Sequence, residues 1–204
     1  MMKPGHGDQK AAQQGAPAAS VVLVSGHMVD APGRPTPRFP PSRVTWVTGQ
    51  VRAVLDQWQV GPGTTMISGG ARGADIIAAE QAHVRGARVL LCLALPPAEF
   101  EQRSVDLPGT DWRARFRRLL DLAEVRQLSD DIADVPAGDQ VFERANDWML
   151  EIACRLDPHP YALIVWDGHP GGGPGGTSDL VRRLRYNVDD PRIRVIDPTP
   201  GAQN

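Results

Sequence analysis

The sequence predicts an α/β fold: a Rossmann-like, doubly wound and mostly parallel sheet in a single domain. Three observations predict it. Short apolar runs recur along the chain and are bounded by glycine or proline, which is typical of strands buried on both faces. Segments with helical spacing of apolar residues separate these runs. The 204 residues are enough for one domain with a sizeable core and short for two.

Six strands and five helices are predicted from these patterns. The strands lie at residues 21–24, 64–68, 89–93, 125–128, 162–166 and 193–196, and the fourth has the weakest apolar signal. The helices span about residues 43–58, 73–85, 111–123, 139–156 and 177–186. The proline-rich segment 27–42 predicts an ordered but irregular loop, because proline fixes φ and removes a hydrogen-bond donor.

The chain divides into three segments at this stage. Residues 1–19 are rich in glycine, alanine, glutamine and proline, and they predict a disordered leader. Residues 20–197 carry the alternating strands and helices, with no internal repeat and no second core, and they predict one Rossmann-type domain. Residues 198–204 predict a flexible tail.

Composition and charge exclude several classes of protein. A hydrophobic fraction of 41% and a charged fraction of 23% are typical of a folded soluble protein. A formal net charge of −2 leaves no positive excess to hold a phosphate backbone, which disfavours nucleic-acid binding. No apolar run approaches membrane-spanning length and no signal peptide is visible, so we expect a cytoplasmic protein without a membrane partner. The two cysteines, Cys92 and Cys154, fit a reducing compartment.

A glycine-rich turn follows the second predicted strand and opens the second helix. Its candidate ligand-binding residues are Gly69, Gly70, Arg72, Gly73 and Asp75. Glycine lets backbone N–H groups approach an anion, a helix start adds unpaired donors, and a guanidinium adds a charge suited to phosphate. Asp75 either caps the helix or bonds a ribose hydroxyl. The alternative is an ordinary tight turn with Arg72 in solvent.

A second glycine-rich loop follows the fifth strand. Its candidate phosphate-binding residues are Gly172, Gly173, Gly175, Gly176 and Thr177. Such a loop can surround a phosphate with backbone donors, and Thr177 is placed to cap the next helix. Asp167, before these glycines, is a candidate sugar contact. No lysine follows the glycines, which excludes a Walker-type site, and a mobile surface loop is the alternative.

The loop after the first strand adds one more candidate. Gly26 lies at the strand's carboxyl end, and Asp30, Arg34 and Arg38 follow it. In parallel sheets, ligands bind at this edge, near a topological switch point. The loop either covers a nucleotide or is a surface lid without contacts. The five histidines lack metal-ligand spacing, so neither a metal nor another cofactor is expected.

Two of these segments resemble known families. Residues 68–75 (SGGARGAD) resemble the SGxARGxD motif of the DNA-processing protein A (Smf) family. Residues 142–146 (FERAN), together with residues 173–179 (GPGGTSD), resemble the arginine helix and the PGGxGTxxE motif of the Lonely-Guy (LOG) phosphoribohydrolases. Both families belong to the SLOG superfamily of Rossmann-like domains, and the resemblance covers roughly residues 20–197.

The resemblance implies a nucleotide or nucleotide-derived ligand at the glycine loops. In the hydrolase branch, an arginine and an acidic residue assist cleavage of an N-glycosidic bond, and Arg144 and Asp179 match those positions. The second loop has an insertion and carries aspartate where the motif has glutamate. SLOG domains of bacterial signalling systems sense nucleotides beside an effector, so the resemblance also implies a separate effector protein and a homodimer as partners.

Three functions follow, and whether the chain is an enzyme is left open. The first is binding or sensing of a nucleotide-derived small molecule. The second is hydrolysis of a nucleoside 5′-monophosphate to base and ribose phosphate by Arg144 and Asp179. The third is single-stranded DNA binding, which the acidic balance and the lack of basic–aromatic stripes disfavour.

Overall fold

Six parallel strands form one sheet in the computed structural model, which describes residues 18–169, 177–184, 186 and 189–199. The strands are β1 (Val21–Gly26), β2 (Thr65–Ser68), β3 (Arg88–Leu93), β4 (Glu124–Gln127), β5 (Tyr161–Val165) and β6 (Ile193–Ile196). They lie in the order β4-β3-β2-β1-β5-β6, and every neighbouring pair is parallel. The predicted fold class and the predicted strands are confirmed.

Helices cover both faces of the sheet. They are α1 (Val44–Gln57), α2 (Ala74–Val84), α3 (Pro97–Phe100), α4 (Trp112–Leu122), α5 (Leu128–Asp131), α6 (Gln140–Leu156) and α7 (Thr177–Leu184). A 3₁₀ turn (Pro41–Arg43) precedes α1, and a π-helical turn (Glu101–Val105) continues α3. Helix α2 packs with α1 and α4, and α6 packs with α7; α2 and α6 both contact β1, β2 and β3. The sheet is therefore doubly wound, as predicted.

The burial of each strand follows from its place in the sheet. Val22, Leu23 and Val24 of central β1 are fully buried. All four residues of β4 are only half-buried, because β4 is an edge strand with one strand neighbour. The same edge position explains why β4 had the weakest apolar signal in the sequence.

The order of the strands creates a topological switch point between β1 and β5. The chain proceeds from β1 to β2, β3 and β4 on one side, and then returns through α6 to β5 on the other side of β1. The segments leaving the carboxyl ends of β1 and β5 diverge, which opens a crevice at that edge. The fold therefore places the loop after β1 beside the segment after β5.

The proline-rich loop after β1 is ordered, as predicted, and Asp30 fixes it. The buried carboxylate of Asp30 accepts hydrogen bonds from the backbone N–H groups of Arg38, at 2.8 Å, and of Phe39, at 2.9 Å. The Asp30 N–H in turn donates to the Phe39 carbonyl at 2.8 Å. The Phe39 side chain is fully buried and anchors the far end of the loop in the core.

We expect replacement of Asp30 by alanine to release this loop. The variant loses two buried hydrogen bonds to a charged acceptor, so its free energy of unfolding should fall by about 2 kcal/mol. Trypsin should then cut faster after Arg38, as followed by mass spectrometry of the fragments; the Arg34–Pro35 bond is not a trypsin site. Asp121→Asn, which changes an exposed carboxylate on α4, is the control. An unchanged cleavage rate in Asp30→Ala would contradict the role of this residue.

The ends of the predicted domain lie partly outside the described residues. The predicted leader is residues 1–19, of which 1–17 lie outside them. Ala19 is described: it is buried and donates its N–H to the Trp58 carbonyl at 2.9 Å. The predicted tail is residues 198–204, of which 200–204 also lie outside. Within the described part of the chain, every helix is too short or too polar to cross a membrane.

Candidate functional site

A cavity of about 510 Å³ opens at the carboxyl edge of the sheet. The segments after β1, β2 and β3, helix α6 and the first residue of α7 line it. Its volume falls in the range of small-molecule sites. The predicted site residues that line the cavity are Gly26, Gly69, Asp75 and Thr177. Each of the three predicted ligand loops therefore contributes at least one residue to this cavity.

The cavity is charged on one side and mostly apolar on the other, where Arg103, Ser104 and Asp139 also line it. Toward β3 and α6, it is lined by Cys92, Ala94, Phe100, Phe142, Ala145 and Met149. From the segment after β1, it is lined by His27, Asp30, Arg34 and Arg38. Because β2 lies between β3 and β1 in the sheet, Gly69 and Asp75 lie between the two sides.

Helix α6 presents one face to the cavity. Phe142, Ala145, Asn146 and Met149 line it at helical spacing, i, i+3, i+4 and i+7. Arg144 lies off this face. Its Nη1 donates to Glu151 at 3.1 Å, and it lines a separate groove beside Trp148. The structure therefore does not bring Arg144 to the cavity, and its catalytic role stays a prediction.

Two of the three arginines that line the cavity, Arg34 and Arg38, belong to the segment after β1. Arg38 Nε donates to Asp167 Oδ2 at 3.1 Å, and Arg34 Nε donates to the Thr36 carbonyl at 3.0 Å and lies 3.3 Å from Asp30 Oδ1. Among the residues that the structure describes, the Nη nitrogens of both arginines have no hydrogen-bond partner. Both side chains are thus fixed through Nε and retain donors for an anion.

His27 and Asp167 meet across the switch point. His27 Nε2 lies 3.0 Å from Asp167 Oδ1 and 3.3 Å from the Asp167 N–H. The carboxylate contact is the shorter one, so we assign Nε2 as the donor, which leaves Nδ1 as the acceptor nitrogen. Burial lowers the pKa of His27 more than Asp167 raises it, so the ring is neutral at neutral pH.

Asp167 is ionised in this arrangement. Burial alone would raise the pKa of its carboxyl, but hydrogen bonds from the His27 ring, the His169 N–H and the Arg38 guanidinium outweigh burial and hold the pKa at about 2. Asp167, the predicted sugar contact, is not among the residues that line the cavity. It instead holds one ring and one guanidinium that do line it.

The backbone of the turn between β2 and α2 is largely occupied by internal hydrogen bonds. The Gly70 N–H donates to Ser68 Oγ at 3.2 Å, the Ala71 N–H to Asp75 Oδ2 at 3.2 Å, and the Arg72 N–H to the Ser104 carbonyl at 3.0 Å. These amides are not left over for a ligand. Gly70 is also absent from the cavity lining, and its phosphate-binding role stays a prediction.

Arg72 joins neighbouring segments of the protein. Its Nε donates to the Val29 carbonyl at 3.0 Å and its Nη1 to the Asp106 carbonyl at 3.4 Å. Burial lowers the pKa of its guanidinium. Arg72 does not line the cavity, so its assignment as an anion ligand also stays a prediction.

Gly73 and Gly26 permit close approaches of the backbone. Gly73 has a φ of +104°, and a Cβ there would lie 2.7 Å from the His27 carbonyl oxygen and 2.8 Å from the Val29 nitrogen. A Cβ on Gly26 would lie 2.6 Å from the Val165 carbonyl oxygen. Both glycines are required for contacts between segments, and Gly73 does not line the cavity.

Asp75 is the least satisfied polar group of the cavity. It lies in the first turn of α2 and is only 9% exposed. Its Oδ2 accepts the Ala71 N–H, whereas Oδ1 is buried and has no hydrogen-bond partner within the described residues. Burial raises the pKa of this carboxyl to about 7, against a smaller opposing effect of the Ala71 hydrogen bond.

The second glycine loop is only partly within the described structure. Gly172, Gly173, Gly175 and Gly176 lie outside the described residues, and of Asp179 the structure describes the helical backbone and not the side chain. Thr177 is buried at the start of α7 and lines the cavity. Phosphate binding by the four glycines and catalysis by Asp179 stay predictions.

The segment after β3 also lines the cavity, which the sequence did not predict. Phe100, Arg103 and Ser104 all line the cavity from α3 and the π-helical turn. Arg103 Nη2 donates to Asp139 Oδ1 at 2.8 Å, and its guanidinium lies 4.9 Å from the centroid of the Phe142 ring. Both elements are too short for a periodic apolar pattern to mark them in the sequence.

A metal centre is not visible in the described part of the chain. No group of three or more histidine, cysteine, aspartate or glutamate side chains there is placed to hold an ion.

Comparison with known proteins adds one structural likeness. No protein-family model matches the chain, and no curated protein matches it. Among solved structures, it is similar to DNA processing protein A (DprA) from Streptococcus pneumoniae, at 13% sequence identity and a TM-score of 0.41, over 89% of this chain and 58% of that chain. The chain thus spans a little over half of that structure. The fold class rests on the strand order, and the family stays a proposal.

Proposed function

We propose that the protein binds a nucleotide or nucleotide-derived ligand in the cavity at the carboxyl edge of its sheet. One observation carries the proposal: two arginines whose Nη donors have no partner among the described residues line the same cavity of about 510 Å³ as a mostly apolar wall with two phenylalanines. A mononucleotide has a matching division into an anionic phosphate and a flat base. Membership of the SLOG superfamily, on the motifs quoted above, is part of the same proposal.

The charged side of the cavity suits a phosphate. Arg34 and Arg38 belong to a loop that Asp30 and Phe39 hold in place, so their guanidinium groups are ordered before a ligand arrives. A guanidinium presents paired N–H donors that match phosphate oxygens. Asp30 and Asp167 each hold one arginine and partly neutralise it, which makes this side a moderate rather than a strong attractor of anions.

The opposite side suits a flat ring. Phe100 and Phe142 line it together with the thioether of Met149. Aromatic rings and methionine sulfur make favourable contacts with planar groups. The Cys92 thiol on the same wall stays protonated, because burial raises its pKa to about 12.

The two alternatives have less in their favour. Hydrolysis through Arg144 and Asp179 requires an arginine that here hydrogen-bonds Glu151 outside the cavity. Single-stranded DNA binding requires a long basic track, whereas the chain has a formal net charge of −2. Neither alternative is supported by a specific contact among the described residues.

Isothermal titration calorimetry tests the proposal with nucleoside 5′-monophosphates, ADP-ribose and a cyclic dinucleotide. Adenosine and ribose 5-phosphate separate the base from the phosphate contribution. We expect binding of at least one nucleotide, and at least roughly 30-fold weaker binding in the double variant Arg34→Gln/Arg38→Gln, since hydrogen bonds to charged groups contribute about 1.5–3 kcal/mol each.

A matched double variant controls for net charge. Arg52→Gln/Arg118→Gln removes the same two positive charges from residues outside the cavity lining, and it should bind like the wild type. The proposal fails if no ligand of the panel binds at millimolar concentration. It also fails if the Arg34/Arg38 variant binds the nucleotide as tightly as the wild type does.

A further inference from the structure

The carboxyl group of Asp75 has an acceptor that the protein leaves unused. Oδ1 is buried without a hydrogen-bond partner among the described residues, and the side chain lines the cavity. A buried polar atom without a partner is uncommon in native proteins because it loses its hydration and gains nothing in return. We therefore expect Oδ1 to accept a hydrogen bond from a donor group of a molecule that enters the cavity.

The fold holds this carboxyl in one orientation. Oδ2 accepts the Ala71 N–H, and Gly69 packs so closely that a Cβ there would lie 2.9 Å from Oδ2. The same hypothetical Cβ would lie 3.6 Å from the Met149 methyl group. Oδ2 is thus held by the Ala71 N–H beside Gly69, and Oδ1 is the oxygen available to a ligand.

No cation of the cavity neutralises Asp75. The charged and titratable groups that line the cavity with it are His27, Asp30, Arg34 and Arg38 from the segment after β1, Cys92 and Arg103 from β3 and beyond, and Asp139 before α6. Arg34 lies by Asp30, Arg38 is paired with Asp167 and Arg103 with Asp139. None of them hydrogen-bonds Asp75, so its carboxyl remains without a counter-charge.

We infer that Asp75 selects the ligand by accepting, at Oδ1, a hydrogen bond from an uncharged N–H or O–H group in the ligand's middle. The inference rests on the proposed function, since it assumes a ligand that extends from the arginines to the aromatic wall. Asp75 lies between those two sides. For a nucleotide, the donor is either a ribose hydroxyl or an amino group of the base.

The inference fixes the sign of a pH dependence. A ligand donor binds the carboxylate form, and the pKa of free Asp75 is about 7. Affinity should therefore rise roughly tenfold from pH 6 to pH 8, with release of a proton on binding near pH 7. The pKa of His27 is lowered below its ordinary 6.5, so His27 contributes little above pH 7.

Matched ligands test the inference by calorimetry. Adenosine 5′-monophosphate is compared with its 2′-deoxy and 3′-deoxy forms and with purine riboside 5′-monophosphate, which lacks the amino group. We expect one of these three to bind the wild type at least roughly tenfold more weakly. In Asp75→Asn, that discrimination should fall below roughly threefold, because the amide no longer offers the same acceptor.

The pH series separates Asp75 from the phosphate of the ligand. The phosphate titrates near pH 6 and affects wild type and Asp75→Asn equally. Only the wild type should show the additional rise toward pH 8. Proton release near pH 7 is measured for the wild type and for Asp75→Asn by calorimetry in two buffers of different ionisation enthalpy, and we expect more release in the wild type.

The outcomes are distinct for the two proposals. If no nucleotide of the panel binds the wild type, the proposed function fails and this inference fails with it. If a nucleotide binds, but its deoxy and deamino analogues bind equally and the wild type releases no more protons near pH 7 than Asp75→Asn does, water rather than a ligand donor occupies the Oδ1 position. The inference is then overturned while the proposed function stands.

Discussion

Replacing Gly73 by alanine is expected to lower the free energy of unfolding by about 4 kcal/mol. Gly73 has a φ of +104°, which L side chains rarely adopt. An added Cβ would also meet the His27 carbonyl oxygen at 2.7 Å and the Val29 nitrogen at 2.8 Å. Both obstacles are backbone atoms, so no side chain can move aside to relieve them.

Urea unfolding followed by circular dichroism measures this effect. Gly49→Ala is the matched control, because Gly49 lies inside α1 and a Cβ there meets nothing within 4 Å. The control should gain about 0.8 kcal/mol from the higher helix propensity of alanine. A Gly73→Ala variant as stable as the wild type would show that the segment after β1 does not lie against the turn between β2 and α2.

Replacing Asp75 by asparagine is expected to stabilise the ligand-free protein increasingly as the pH rises. The pKa of the folded-state carboxyl is about 7, against an ordinary value of 3.8 for an aspartate. Between these values, the folded protein holds a proton that the unfolded chain has released, so wild-type stability falls with rising pH. The variant lacks this loss. The difference in unfolding free energy should grow by about 3 kcal/mol from pH 5 to pH 8 in favour of Asp75→Asn.

The same unfolding experiments at pH 5, pH 6.5 and pH 8 check this prediction. Asp121→Asn, on the exposed side of α4, corrects for the general effect of removing one carboxylate. Taking differences between variant and wild type at each pH cancels the titration of all other groups. A difference that stays constant over this range would mean that Asp75 is ionised throughout and already has a partner.

The strands and the main helices were predictable because burial leaves a local mark on the sequence. Central β1 is a continuous apolar run, which is typical of a strand covered on both faces. Short elements were not predictable: α3, α5 and the π-helical turn span only four or five residues each, too few for a periodic pattern to be recognised. The order of the strands depends on contacts between distant segments, for which one sequence has no local signal.

The same limit explains the differences at the candidate site. Arg72 looked like an anion ligand because its neighbours are glycines, but its partners are the carbonyls of Val29 and Asp106, more than thirty residues away in either direction. His27 meets Asp167 at a separation of 140 residues, which no spacing rule detects. In contrast, the cavity-facing position of Asn146 follows from its place beside the apolar stripe of α6, a local and readable feature.

The hydrogen bonds of the Arg72 guanidinium limit which parts of this protein can vary in sequence and length. Arg72 connects the segments that follow β1 and β3 to the turn after β2. A change in the backbone of one of these three segments would therefore disturb the other two. The entropy cost of ordering these three segments is incurred when the chain folds and not when a ligand binds. Ligand binding therefore does not lose free energy to ordering them. New preferences would therefore arise by exchanging side chains on a constant frame, rather than by lengthening or reshaping a loop.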